Sequence, residues 1–140
     1  MSLYFMAILP PEQTTEKINA LKKEFAEQYK CYYAYQKITH ITLQKPFQWS
    51  EDELTNLRNS LTTFFKHFRS FSINLSGFGH FGKRVIYINI ANPIPLQSLR
   101  DNLIEHLQHK FDFTNKMIGR KKITPHVTIA NRDLTKSKFY

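Results

Sequence analysis

The chain has 140 residues, 41% hydrophobic and 22% charged, a balance that excludes a disordered polymer and fits one domain with a sizeable core. Its net charge of +9 favours a polyanionic partner, nucleic acid or another phosphorylated molecule, without specifying an activity. Cys31 is the only cysteine, so an internal disulfide and a cysteine-based zinc cluster are both impossible, and a reducing, cytoplasmic setting is expected.

The opening apolar run, residues 3–9, lacks a basic leader and is too short to span a bilayer. It is expected to be a buried strand, with no membrane role. Pro10 and Pro11 suit a helix entry, and Ile18, Leu21, Phe25 and Tyr29 then recur at helical spacing, with Lys22, Lys23 and Glu27 on the other side. Residues 32–35 are short, aromatic and predicted extended. Residues 39–43 read as a strand by β-branched content, stopped by Pro46.

Ser50 then marks a helix start, with Glu53 at the capping-box position and Trp49 and Leu54 placed for a hydrophobic staple. Leu54, Leu57, Leu61, Phe64 and Phe68 supply its apolar stripe. A strand is predicted over 71–75, a glycine-rich hairpin connection over 77–82, and a second strand over 85–90. Pro93 and Pro95 introduce a third helix carrying Leu96, Leu99, Leu103 and Leu107. A basic loop leads through Pro125 to a strand at His126-Val127-Thr128-Ile129.

The order strand, prolines, helix, loop, His-x-Thr strand occurs twice, over residues 3–43 and again over 85–129. His40 and His126 lie 86 positions apart, and Leu21 and Leu103 of the paired helices 82 apart, so the repeat needs only a small insertion. Two such halves related by a pseudo-two-fold would bring both histidines into one cleft. Residues 133–140 resemble the beginning of a further helix, so the second half is expected to lack its last elements.

The chemistry-bearing signal is the pair His40-Ile41-Thr42-Leu43 and His126-Val127-Thr128-Ile129. Alternate residues of a strand share a face, so each histidine and its threonine point together while the aliphatic residues enter the core. A lone copy would be an ordinary strand histidine; two copies at equivalent places in a repeat are a candidate site. On these residues the chain resembles the two-histidine phosphoesterases, and within them the bacterial 2′-5′ RNA ligase or cyclic phosphodiesterase group. The opening strand ending at Pro10, Pro125 before the second histidine, and the stretch from Gly77 and Phe78 through Phe81 to Tyr87 support the resemblance.

The resemblance implies a bilobal α+β fold over residues 1–140, with two antiparallel sheets, helices on their outer sides and a central cleft. It implies hydrolysis of 2′,3′-cyclic phosphate ends of RNA to 2′-phosphates, and the joining of ends through a 2′-5′ linkage at the same site. His40 and His126 would be acid and base, and Thr42 and Thr128 would donate to phosphate oxygens. Neither metal nor cofactor is needed, because an imidazole titrates near neutrality and can serve in either role. The enzyme is expected to act as a monomer. A small cyclic nucleotide or ADP-ribose cyclic phosphate is the alternative substrate; a non-catalytic RNA-binding module is the alternative function.

Arg120, Lys121 and Lys122 stand before the second histidine as candidate phosphate contacts. Tyr33, Tyr35 and Phe47 flank the first motif as candidate base-stacking rings, with core packing the simpler reading. Gly77-Phe78-Gly79-His80-Phe81-Gly82 matches G-x-G-x-x-G but precedes a strand where a dinucleotide site needs a helix. His106 and His109 share a helix face without a third ligand and read as an exposed helix end.

Overall fold

A computed structural model describes residues 1–131. The helix beginning expected over 133–140 lies outside the described residues. The protein is α+β, with strands β1 (Ser2–Ile8), β2 (Ile41–Trp49), β3 (Asn74–Phe81), β4 (Val85–Ala91) and β5 (His126–Ala130). Four helices accompany them: α1 (Glu12–Tyr29), α2 (Leu54–Lys66), α3 (Ile94–Phe111) and the one-turn α4 (Asn115–Ile118). The strands form two antiparallel sheets, β1-β2 and β3-β4-β5. None of the described helices is long and apolar enough to cross a membrane.

The repeat is regular in its elements. β1 and β4 each have seven residues, and α1 and α3 each have eighteen, starting 82 positions apart at Glu12 and Ile94. Each of these helices ends on a residue with left-handed backbone, Lys30 at φ 54° and Asp112 at φ 56°. In each half the first strand pairs with the His-x-Thr strand, β1 with β2 and β4 with β5.

The compact units are not the two halves. One consists of residues 1–7, 42–73 and 92–125; the other consists, among the described residues, of 8–41, 74–91 and 126–131. Each therefore combines strands from one half with the helix of the other.

The first unit is closed by apolar stripes. Leu96, Leu99, Leu103 and Leu107 of α3 are all buried, as the leucine spacing predicts. Phe47 on β2 packs at a tilt against Phe113 at 5.0 Å and lies edge-on to Trp49 at 6.2 Å. Gln44 is wholly buried and donates to the Met117 carbonyl at 2.7 Å, tying β2 to α4. His106 is half-buried rather than exposed: its Nε2 lies 2.8 Å from Ser60 Oγ, and its ring packs on Phe64 at 5.0 Å.

In the second unit α1 packs against β5. Cys31 and Ala130 are buried together, with Phe25 and Ile86 against them. The centre of the buried α1 stripe is Ile18, Lys22 and Ala26, so Lys22 faces inward and not to solvent. Residues 33–36 form a turn where extended chain was expected, because the Gln36 and Lys37 amides donate back to the Tyr32, Tyr33 and Ala34 carbonyls.

Other sequence expectations also give way to local physics. β1 is half-buried, leaving Leu3 62% and Phe5 49% exposed, because only one side of a two-stranded sheet is covered. β2 continues through Pro46, which a strand paired on one side accommodates because an outward position needs no N–H donor. The Ser50–Glu53 capping box does not form: residues 51–53 make a 3₁₀ turn before α2, no side chain caps that turn or α2, and Glu53 instead accepts from Asn56 Nδ2 at 3.0 Å. The glycine-rich stretch is strand, not connection. Gly77, at φ 72°, sits where the β3–β4 register shifts, and residues 82–84 make the turn.

Gly79 pairs with Tyr87, whose ring covers it: a Cβ at 79 would fall 2.5 Å from that ring. Gly79→Ala is expected to cost about 1–3 kcal/mol, read from the urea unfolding midpoint, because the ring is packed and cannot yield freely. A second expectation concerns pH. Burial, reinforced by Lys110, lowers the His106 pKa below its ordinary value of 6.5, so the unfolded chain takes up this proton first as pH falls. Stability is then lost as pH falls through the unfolded value, and His106→Leu should flatten the unfolding free energy from about pH 7 to about pH 5.

Candidate active site

His126 opens β5, and the strand alternates as its sequence dictates. His126 and Thr128 are half-buried on one face while Val127 and Ile129 are fully buried on the other. Across the ladder, Asn89 pairs with His126 and Tyr87 with Thr128. Paired residues of antiparallel strands share a face, so these four side chains belong to one surface.

The His126 ring is bedded in aromatics. Phe81 meets it edge-on at 4.9 Å, Tyr87 lies at 5.1 Å, and Phe81 and Tyr87 are 4.6 Å apart. The bare Gly79 backbone makes room for the Tyr87 ring, so a glycine two strands away helps set the histidine's walls. Phe81 is 40% exposed and remains available to a ligand beside His126. The sequence places Phe81 in a connection; the signals for its position are the family-like stretch from Gly77 to Tyr87 and Gly82, which makes the turn after it.

His40 lies just before β2, not within it, and is half-buried. Its Nδ1 is 2.6 Å from the Ile38 carbonyl. A carbonyl only accepts, so this contact places a ring proton on Nδ1. The preceding residues are fixed to α1. The Thr39 hydroxyl donates to Asn19 Oδ1 at 2.7 Å, and Lys22 Nζ donates to the Lys37 carbonyl at 3.1 Å. Lys22 is only 2% exposed, and burial lowers its pKa. His40, His126 and Thr128 all belong to the second compact unit. α1 is common to their support, holding residues 37–39 by hydrogen bonds and packing on β5.

Thr42 is half-buried on β2, between buried Ile41 and Leu43, and belongs to the first unit. Arg120, Lys121 and Lys122 are exposed there. Their backbone is held from α3: the Arg120 and Lys121 carbonyls accept from Arg100 Nη2 and Gln97 Nε2 at 3.2 and 3.0 Å. Tyr35 is exposed in the 33–36 turn, and Tyr33 lies under the Lys37 ammonium at 5.0 Å. Phe47 is removed from the set. At 4% exposure within the Trp49–Phe113 cluster, it offers no free face for a base. Among the described residues, no three of His, Cys, Asp or Glu converge in a group that could hold a metal ion.

Two histidines, each followed at the second residue by a threonine, recur at matched places of an α+β repeat, and these residue types suit acid–base and donor chemistry on phosphate esters. The chain belongs to the 2′-5′ RNA ligase superfamily, whose sequence model matches residues 10–138. It is similar to proteins named "Putative phosphoesterase" from Bacillus thuringiensis and Bacillus anthracis, at 27% identity over 127 residues. A similarly named protein of Bacillus cytotoxicus matches at 27% over 129 residues. The alignments cover 89%, 89% and 91% of this chain and 67%, 67% and 68% of those relatives.

The hydrogen bond to Ile38 makes a direct expectation for His40. At high pH, where its ring is neutral, ¹⁵N NMR should report the Nδ1–H tautomer, with a pyridine-like shift at Nε2. A dominant Nε2–H tautomer would contradict the assignment.

Proposed function

We propose that the chain is a phosphoesterase that opens 2′,3′-cyclic phosphates at RNA ends to 2′-phosphates, with His40 and His126 as paired acid and base. The observation that carries this reading is the placement of both histidines in one compact unit, supported from a single helix, in a chain of this superfamily.

One imidazole takes the proton of the attacking water as its oxygen bonds to phosphorus. The P–O3′ bond breaks, and the second imidazole, already protonated, delivers its proton to the departing 3′ oxygen. The 2′ ester remains. The imidazoles then exchange roles or re-equilibrate with solvent. Thr42 and Thr128 hydroxyls donate to the non-bridging oxygens as charge builds on them. Replacing water by a 5′-hydroxyl gives a 2′-5′ linkage through the same steps.

Phe81, 40% exposed against His126, stacks on the sugar or base there, and the exposed Arg120, Lys121 and Lys122 contact RNA phosphates. Cytoplasmic RNA is the expected partner.

His40→Ala and His126→Ala are each expected to lower kcat by about 10²–10⁴-fold, and Thr42→Val and Thr128→Val by about 10²–10³-fold. The pH–rate profile should be a bell, and chelators should leave the rate unchanged. Full activity in either histidine variant would end the mechanism. Oligonucleotides and mononucleotides with cyclic ends, assayed side by side, test the substrate: preference for the mononucleotide would point to a small cyclic phosphate. Salt-sensitive RNA binding without product would point to a binding module.

A further inference from the structure

Two charged side chains are buried among the described residues, Lys22 at 2% and Arg100 at 3% exposure. They occupy the two equivalent helices of the repeat, one turn out of register: with the helices aligned from Glu12 and Ile94, Arg100 matches Ile18. Among the described residues neither is in an ion pair. Both donate to backbone carbonyls, and in both halves those carbonyls lie on the segment that leads into a His-x-Thr motif. Lys22 Nζ donates to Lys37, three residues before His40. Arg100 Nη2 donates to Ile118 at 3.1 Å and to Arg120 at 3.2 Å, before His126.

We propose that Lys22 and Arg100 are matched positioning residues, each fixing the backbone approach to one histidine. This rests on the reading of His40 and His126 as the acid and base.

The physical argument is that stability alone does not explain a buried cation here. An ammonium or guanidinium taken out of water loses hydration that one or two carbonyls restore only in part, and an apolar residue of similar volume is often as stable or more so. Arg100 Nε and Nη1 are buried without hydrogen-bond partners, so its burial is incompletely compensated. What a cation supplies that an apolar side chain does not is direction. An N–H donor fixes where a carbonyl points, and so fixes the dihedrals of the residues after it. At Lys37 this aims the chain toward Ile38, whose own carbonyl orients the His40 ring. At Arg120, with Gln97 holding Lys121 and Ile123 beside it, the inward carbonyls turn the basic side chains outward.

The test uses Lys22→Met and Arg100→Met, with Lys22→Arg and Arg100→Lys as conservative variants, in the full chain. Positioning predicts that Lys22→Met keeps or raises the thermal midpoint, lowers kcat by about 10–100-fold and leaves KM within about twofold. Lys22→Arg should recover most of that loss. Arg100→Met should lower kcat likewise and Arg100→Lys restore it in part, even if Arg100→Met loses some stability through its orphaned carbonyls. A readout independent of substrate completes the set. The His40 Nδ1–H resonance should exchange faster with water in Lys22→Met, and the backbone amides of residues 120–126 should shift in Arg100→Met.

Wild-type kcat in both Met variants, or losses that vanish when activity is counted per folded molecule, would overturn the proposal. If the wild-type chain turns over no cyclic phosphate, the functional reading fails. The NMR arm then still decides the matter, and unchanged spectra at both segments would overturn positioning.

Discussion

The contact of α1 with β5 is the interaction on which the candidate site depends. It is apolar at its centre, where Phe25 meets buried Cys31 and Ala130, and such contact sets separation without setting direction. Direction comes from the polar residues on the same helix. Asn19 and Lys22 take hold of Thr39 and Lys37, so the segment bearing His40 is referenced to the helix that supports the strand bearing His126. Loosen the apolar contact and both histidines lose their common frame.

Much of this was legible in the sequence, for reasons that differ by element. The stripes of α2 and α3 follow the 3.6-residue period because each helix has one covered side. The alternation at His126-Val127-Thr128-Ile129 is equally plain, since a period of two with β-branched residues admits few other structures. Where the text misleads, a local rule was outweighed by a contact distant in sequence. Lys22 carries the residue type of a solvent face, and nothing nearby says that the Lys37 carbonyl will receive it. Aromatic content made residues 32–35 look extended, while returning amide bonds close them into a turn. Glycine content made residues 77–82 look like a loop, although Gly79 serves a strand whose partner needs the space.

The candidate site is legible in the sequence as a pair of motifs and illegible as a place. The motifs name His40, Thr42, His126 and Thr128. The surroundings of those residues depend on register: Phe81 and Tyr87 reach His126 because β4 lies between β3 and β5, and no spacing along the chain announces that order. Phe47 shows the opposite error. It is near the first motif in sequence, and its ring turns into the core of the first unit.

The division of the repeat between two compact units also has a temporal side. α1 is complete by Tyr29, but the strand it packs against begins at His126, nearly a hundred residues later. At synthesis rates of about 5–20 residues per second, the apolar stripe of α1 waits roughly 5–20 s on the ribosome for its partner. No contiguous piece of the nascent chain can shelter it in the native way before then. Folding of this unit is therefore governed by a late, long-range closure, which makes it slow and leaves the early helix open to chaperones or to aggregation. The closing strand is also the one that carries the second histidine, so the unit acquires its second imidazole in the same event that buries α1.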